Sequence, residues 1–380
     1  MKKPIILAVG TVFLIWGSII FYYKNVELPN FVEKDETIIA DSLNKENNHK
    51  NETNKKENKK ASKEESKNFQ QEEKNKNDAE PSKDISICNE NGKIMVLMYH
   101  KFADTAKDAW TRSFSDFKND LKMLYEKNYY PINMSEYING NINVPYGKTP
   151  VILTFDDGVA SQLSFEWKDD VLTAKKDTAV SIYEEFSKEH PDFPMRGTFY
   201  IMSTNFFGAK GTLKQRLEYL ISKGFEIGNQ TKNHYALQNA DSADKVIEEV
   251  GGFAKFVDDL IPGYVINSFS IPGGSMTKKY ENYVYSGTYE GFSYENKGVV
   301  LLYGSKPTLS PINKELDLKK IPRVRVAGKD KVNNDFNYWI EYFDEHPEER
   351  YISDGNPDTF VINSGDRDIV KEGINIIIKN

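Results

Sequence analysis

The 380-residue sequence predicts an α/β fold of parallel strands joined by helical crossovers. Its ordered part has the size of a single (β/α) barrel. Three observations carry that expectation. From Lys93 onward, short apolar runs alternate with segments of helical spacing, the signature of strand–helix–strand units. The stretch 91–380 has the length of one barrel domain. The residues before it have a composition that cannot build a core.

The elements follow in chain order. Residues 5–23 (IILAVGTVFLIWGSIIFYY) are uncharged and apolar throughout, long enough to cross a bilayer as a helix. Lys2 and Lys3 precede the stretch and favour a cytoplasmic N-terminus, while Tyr22 and Tyr23 suit the outer interface. We read 1–24 as an uncleaved, single-pass signal anchor, because the run exceeds a cleavable core and no small-x-small site follows. No cysteine stands at its end for a lipid anchor. Residues 25–90 form a charged, Asn-rich tether. Between 41 and 84, Leu43 and Phe69 are the only large apolar groups, too few to offset chain entropy. Expected disorder there would hold a domain off the membrane.

The domain spans 91–380. KIMVLMYH (93–100) reads as a buried strand. Phe117, Leu121, Leu124 and Tyr125 give 115–127 a helical spacing. Strands are expected at 150–155, 197–202, 225–228 and 265–271, and helices near 176–189, 212–223 and 242–260. Residues 297–303, 358–363 and 373–378 read as further strands. The single cysteine, Cys88, excludes an intrachain disulfide and a Cys-rich metal site. A net charge of −7 argues against a nucleic-acid partner.

Reactive groups in parallel α/β folds lie where strands end at their carboxyl side. The most informative such place is Thr154-Phe155-Asp156-Asp157-Gly158. Neighbouring side chains on a strand point opposite ways, so the chain must turn for both carboxylates to face one pocket, and Gly158 allows it. A second place is Glu226-Ile227-Gly228-Asn229-Gln230-Thr231-Lys232-Asn233-His234. His100 ends the first strand, and Ser270-Ile271-Pro272-Gly273-Gly274 runs from a strand into a turn. Taken singly, each has a bland explanation. His100 fits a core histidine, His234 a loop residue, Asn229 a cap or turn residue, and Pro272-Gly273-Gly274 a plain turn. Arg323 and Arg325, in I-P-R-V-R-V, fit either an ion pair that orients Asp156 or a place on the surface.

Taken together and in this order, these segments resemble the polysaccharide deacetylase family (carbohydrate esterase family 4, the NodB-homology domain). T-F-D-D-G is complete. Gln230-Thr231-Lys232-Asn233-His234, led in by E-I-G-N, stands for the family's H-[ST]-x-x-H. Leu97 to His100 stands for L-x-x-H, placed before the Asp pair as in the circularly permuted branch that includes poly-N-acetylglucosamine deacetylases. The resemblance covers roughly 93–330. It implies a distorted, seven-stranded NodB-type barrel acting on an N-acetylated polysaccharide. It also implies roles. Asp157 and His234 would bind a divalent metal, zinc, with Gln230 at the third ligand position. Asp156 would be the general base and His100 the general acid. Gly273, with Pro272 and Asn229, would hold the oxyanion or substrate. Such an enzyme would be a membrane-anchored, extracellular hydrolase of N-acetyl groups on an envelope or exopolysaccharide glycan.

Two positions depart from the pattern. Gln230 stands where the family has its first histidine, and an amide oxygen is a poor zinc ligand beside imidazole. No other histidine replaces it, since His49, His190 and His346 lie outside the motifs. Ser270 stands where R-x-P-x-G has its arginine. The alternative expectation is therefore a catalytically impaired relative that binds glycan or envelope partners. Where the Gln230 oxygen lies relative to Asp157 and His234 discriminates the two.

Overall fold

The computed structural model describes residues 83–379 except 170, 205, 209, 210, 330 and 331. The expected membrane helix and all but the end of the tether lie outside the described residues. Among the described residues, no helix is long and apolar enough to cross a membrane.

Eight strands form one sheet: β1 (Met95–Tyr99), β2 (Tyr129–Pro131), β3 (Thr149–Asp156), β4 (Thr198–Ile201), β5 (Glu226–Asn229), β6 (Ser268–Ser270), β7 (Gly298–Val300) and β8 (Val324–Arg325). The order is β7-β6-β5-β4-β3-β1-β8, with β2 paired to the start of β3. Every pairing in this sheet is parallel. The chain just before β8 reaches the opposite edge. Ile321 N–H donates to Val299 O, and Leu301 N–H donates to Ile321 O, each at 2.8 Å. The strip 321–325 thus joins both ends of the sheet, and the seven-strand path curls into the distorted barrel that was expected. The helices α1 (Phe114–Glu126), α2 (Ala179–Glu189), α3 (Leu213–Ser222), α4 (Ala243–Leu260) and α5 (Phe336–Glu345) lie in the connections.

Side chains alternate across the sheet. Met95, Leu97, Tyr99, Val151, Leu153, Phe155, Phe199 and Phe269 pack with the helices in the larger core. Val96, Ile152, Tyr200, Val300 and Ile321 form a second, inner core with Ile132, Tyr137 and Tyr351. The inward file of each strand continues upward in polar residues. Val96 leads through Met98 to His100, Ile152 through Thr154 to Asp156, and Ile321 through Arg323 to Arg325. Gly228 leads to Gln230, and Ser268 to Ser270. Pleat parity alone therefore delivers His100, Asp156, Gln230, Ser270, Arg323 and Arg325 to one rim.

One glycine is required by this packing. A Cβ at Gly228 would stand 2.4 Å from two ring carbons of Tyr200. Tyr200 is fully buried, and its hydroxyl donates to Ser268 Oγ at 3.0 Å.

Most elements match the sequence reading within three residues, but several parts differ. The long connection 159–196 contains an antiparallel hairpin, Phe165–Lys168 with Val171–Ala174, ahead of α2. The strands expected at 358–363 and 373–378 do form, as Phe360–Asn363 and Ile376–Lys379. They pair with each other in a separate parallel ribbon, not in the barrel. α5, β2 and β8 were not foreseen.

Candidate active site

The rim encloses a pocket of about 220 Å³ lined by His100, Lys101, Trp110, Asp156, Asp157, Gln230, His234, Ile271, Gly273 and Leu302. Six of the eight residues expected at the site are therefore brought together. The other two are not pocket residues. Asn229 is fully buried; its amide donates to Val250 O, and its oxygen accepts from Thr231 N–H. It is a turn residue, because the outward parity of β5 aims it at α4. Pro272 is buried at the start of the single turn 272–274 and leaves Gly273, at φ +65°, to line the pocket.

Asp156 forms the floor and is 1% exposed. Arg323, equally buried, grips both its oxygens: Nη1 donates to Oδ1 at 2.6 Å and Nη2 to Oδ2 at 2.8 Å. Ser270 Oγ donates to Oδ2 at 3.1 Å and accepts from Arg323 Nη2 at 3.2 Å. A two-pronged guanidinium–carboxylate pair fixes orientation as well as charge. The sequence left Arg323 undecided between ion pair and surface, and the structure decides for the ion pair. The arginine missing at Ser270 is supplied instead from the opposite edge of the barrel.

His100 Nε2 lies 3.9 Å from Asp156 Oδ2. Burial pushes the His100 imidazole below its ordinary pKa, against the pull of Asp156 and Asp157. Gln162 ties the two strand ends together, donating from Nε2 to His100 O and to Asp156 O, both at 2.6 Å. Gln162 went unnoticed in the sequence, where nothing distinguishes it from a surface glutamine.

Asp157 would face away from the pocket on a continued strand. Its φ of +78°, followed by +56° at Gly158, turns it back. Thr231 (φ +65°) and His234 (φ +54°) are also left-handed. For a β-branched residue that conformation is a genuine outlier, and such strain collects at functional sites. Here hydrogen bonds hold it: Thr231 Oγ1 accepts from Tyr235 N–H at 2.9 Å.

Asp157 Oδ1 and His234 Nε2 are 3.4 Å apart, and Gln230 Nε2 lies 3.1 Å from the first and 3.4 Å from the second. Three ligands on a tetrahedral ion at ~2.0–2.1 Å stand about 3.3 Å from one another, so the triangle has the right size. Its third corner carries the wrong atom. Gln230 Oε1 accepts from Asp157 N–H at 2.9 Å, which turns the amide nitrogen, a donor without a lone pair to give, toward Asp157 and His234. The oxygen expected near that pair faces the backbone instead. Asp157 and His234 fit a divalent ion; Gln230 as placed does not, and the set falls short of a three-ligand centre. For Asp157, burial raises the carboxyl pKa, but the bonds from His234 and Gln230 outweigh it and leave it below the ordinary value. The same bond to Asp157 raises His234. His346, Glu348 and Glu349 form a tight trio elsewhere. They line no part of the pocket.

Residues 143–291, which include the Asp pair, Gln230, His234 and Gly273, match the family of polysaccharide deacetylases. The match covers 149 of the 380 residues. No curated protein matches the chain. Among solved structures, the deacetylase PplD of Streptococcus pyogenes, in complex with acetate, is 18% identical with a TM-score of 0.47, over 64% of this chain and 96% of its own. A polysaccharide deacetylase from Bacillus cereus is 20% identical with a TM-score of 0.48, over 65% and 69%. IcaB from Ammonifex degensii is 16% identical with a TM-score of 0.46, over 66% and 97%. Outside the matched span, His100 and Arg323 complete the rim of the pocket from β1 and from the chain entering β8.

Proposed function

We propose that this protein removes acetyl groups from an N-acetylated envelope or exopolysaccharide glycan. The apolar stretch 5–23 would anchor it in the cell membrane, and the 25–90 tether would carry the domain outside the cell. The observation that carries the reading is Asp156, clamped in one orientation by Arg323 and Ser270 with the His100 imidazole beside it. In this reading Asp156 takes a proton from water as its oxygen bonds to the acetyl carbon. His100 delivers a proton to the amine nitrogen as the C–N bond breaks, giving acetate and a free amino sugar. A donor near Gly273 meets the developing oxyanion. Asp157 and His234 are the pair that would hold a divalent ion, zinc by family resemblance, with Gln230 adding nothing in its present orientation. His100 ahead of the Asp pair fits the permuted order of the family.

The orientation of the Gln230 amide favours a second reading, in which the pocket holds glycan without turnover. The test is acetate release from N-acetylglucosamine oligomers by the full chain in detergent with added zinc, beside Asp156→Asn. Release that the variant loses supports hydrolysis. Oligomer binding without release leaves the second reading. Neither binding nor release overturns both.

A further inference from the structure

Beside the reacting groups, the pocket has a cationic, aromatic wall that hydrolysis of a neutral sugar does not need. Arg325 ends the inward file of β8, two residues beyond the arginine that clamps Asp156. Its guanidinium carbon stacks 3.9 Å from the centre of the Trp110 ring. Trp110 in turn sets its edge against His100, with ring centres 4.6 Å apart. Lys101 lines the same pocket, and its backbone N–H donates to Trp110 O at 3.0 Å. Arg325 does not itself line the pocket but abuts it through Trp110, so strand pairing and stacking place the three side chains together at its edge.

The two cations of this wall lack anionic partners. Arg323 commits its fork to Asp156. Arg325 is only partly exposed, yet among the described residues no carboxylate lies within 4.0 Å of its guanidinium or of the Lys101 ammonium. Stacking on tryptophan attracts the guanidinium and positions it without using its five donors. A planar fork left free at the mouth of a site matches a carboxylate or phosphate, and the tryptophan beside it offers an aromatic face to a sugar ring. The chain as a whole carries a charge of −7 and repels anions at long range. The free fork of Arg325, with Lys101 beside the same tryptophan, is a local departure from that overall charge.

We propose that Arg325, seated on Trp110 with Lys101 beside it, binds an anionic substituent on the glycan, so that the N-acetyl sugar entering the pocket is accompanied by a carboxylate or a phosphate. The inference rests on the reading that the pocket takes an N-acetylated glycan. It applies whether that glycan is hydrolysed or only held.

The experiment measures binding of three probes to the full chain in detergent: neutral chitotetraose, a tetrasaccharide alternating N-acetylglucosamine with glucuronate, and N-acetylglucosamine 6-phosphate beside free N-acetylglucosamine. A preference of about tenfold or more for an anionic probe over its neutral counterpart is expected. Whichever pair shows it identifies carboxylate or phosphate as the group read. The preference should shrink as salt is raised and fall below about twofold in Arg325→Met, which keeps an apolar stem on Trp110. Arg325→Lys should keep only part of it. Should Arg325→Met fold poorly, the salt dependence of the wild-type preference decides alone. Equal affinity for charged and neutral probes overturns the inference while leaving the glycan reading intact. Binding of none of them overturns both.

Discussion

Replacing Gln230 by histidine asks whether one amide separates this pocket from a complete metal site. In the present orientation, a metal would have to dislodge two interactions. One is the bond from Gln230 Nε2 to the Asp157 carboxylate, 3.1 Å long; the other is the bond from Asp157 N–H to Gln230 Oε1, 2.9 Å long. Turning the amide brings its oxygen to the ligand corner but sets its NH2 against that backbone N–H. The N–H keeps its second acceptor, Tyr200 O at 2.9 Å, so the penalty is that of one compromised hydrogen bond, about 1–3 kcal/mol. That alone weakens metal binding by about 5- to 150-fold, before counting the poorer affinity of an amide oxygen for zinc. Gln230→His removes both handicaps without orphaning the Asp157 N–H. We expect zinc affinity of the full chain, measured by competition with a chelating dye, to rise by about 100-fold or more, with a matching increase in thermal stability on zinc addition. An unchanged affinity in a variant that folds normally would refute the reasoning. It would mean that Asp157 and His234, despite the 3.4 Å between them, do not present lone pairs to a common point.

Three further outcomes follow from the same geometry. Arg323→Met should cost about 3–5 kcal/mol in denaturant unfolding, because it strands a buried carboxylate; adding Asp156→Asn should recover a good part, and a loss under 1 kcal/mol for the single variant would contradict the described clamp. Gly228→Ala should destabilise by at least about 1–3 kcal/mol, since its Cβ meets the Tyr200 ring at 2.4 Å, whereas Ala at Gly365, exposed and with open space around it, should not show this steric cost. Glu90 is buried and accepts hydrogen bonds from Val361 N–H at 2.6 Å and the Tyr351 hydroxyl at 3.1 Å, joining the start of the domain to its C-terminal segment. Burial pushes its carboxyl up to about 7 from 4.5, so the folded state holds this proton more tightly than the unfolded chain. Its contribution is complete below pH ~4.5 and is lost as pH rises to ~7, at most about 3 kcal/mol. Glu90→Gln should gain stability relative to wild type across that window, by unfolding free energies at pH 5 and pH 8; parallel pH curves for the two proteins would show that Glu90 does not titrate in that range.

What could be read from the sequence follows what local physics encodes. Buried parallel strands are continuous apolar runs, and so 93–100 and 150–155 announced β1 and β3. α1 and α4 announced themselves by apolar spacing. β8 did not, because a two-residue strand, Val324–Arg325, entered from Arg323 has no apolar signature. Its pairing is set by barrel closure, which is a property of the whole sheet. The strands at 360–363 and 376–379 were legible as strands but not as partners of each other, since alternation does not name the sheet. Within the site, the residues on motif positions were found, whereas of those that orient them only Arg323 was named, and then only as one of two alternatives. Arg323, Gln162 and Trp110 act across 167 residues, 6 residues and a stacking contact respectively, and no spacing rule links such pairs.

Gln230 is where sequence and structure together say more than either does alone. The sequence shows a substitution and predicts a weakened ligand. The structure shows that the substitution is accommodated: the amide satisfies the Asp157 backbone with its oxygen and the Asp157 carboxylate with its nitrogen, and its nitrogen lies within reach of His234. A side chain left over from a decayed site would have no reason to bond at both ends, and buried polar atoms without partners would be expected around it. None of the buried side-chain atoms without partners among the described residues belongs to Asp156, Asp157, Gln230 or His234. The clamp on Asp156 is intact as well, so the carboxylate that would act as base is held ready whatever occupies the corner beside it. A pocket whose Asp156, Asp157, Gln230 and His234 are all satisfied, with only the Gln162 oxygen behind them lacking a partner, while its ligand corner is closed by a neutral donor, is arranged to present Asp156 and His100 to a substrate. Zinc affinity and acetate release, measured on wild type and on Gln230→His side by side, then separate the two readings. Tight zinc with new acetate release in the variant alone would mark the wild type as a glycan-holding relative. Acetate release already present in the wild type would show that the Asp156–His100 pair turns over substrate with Gln230 in place.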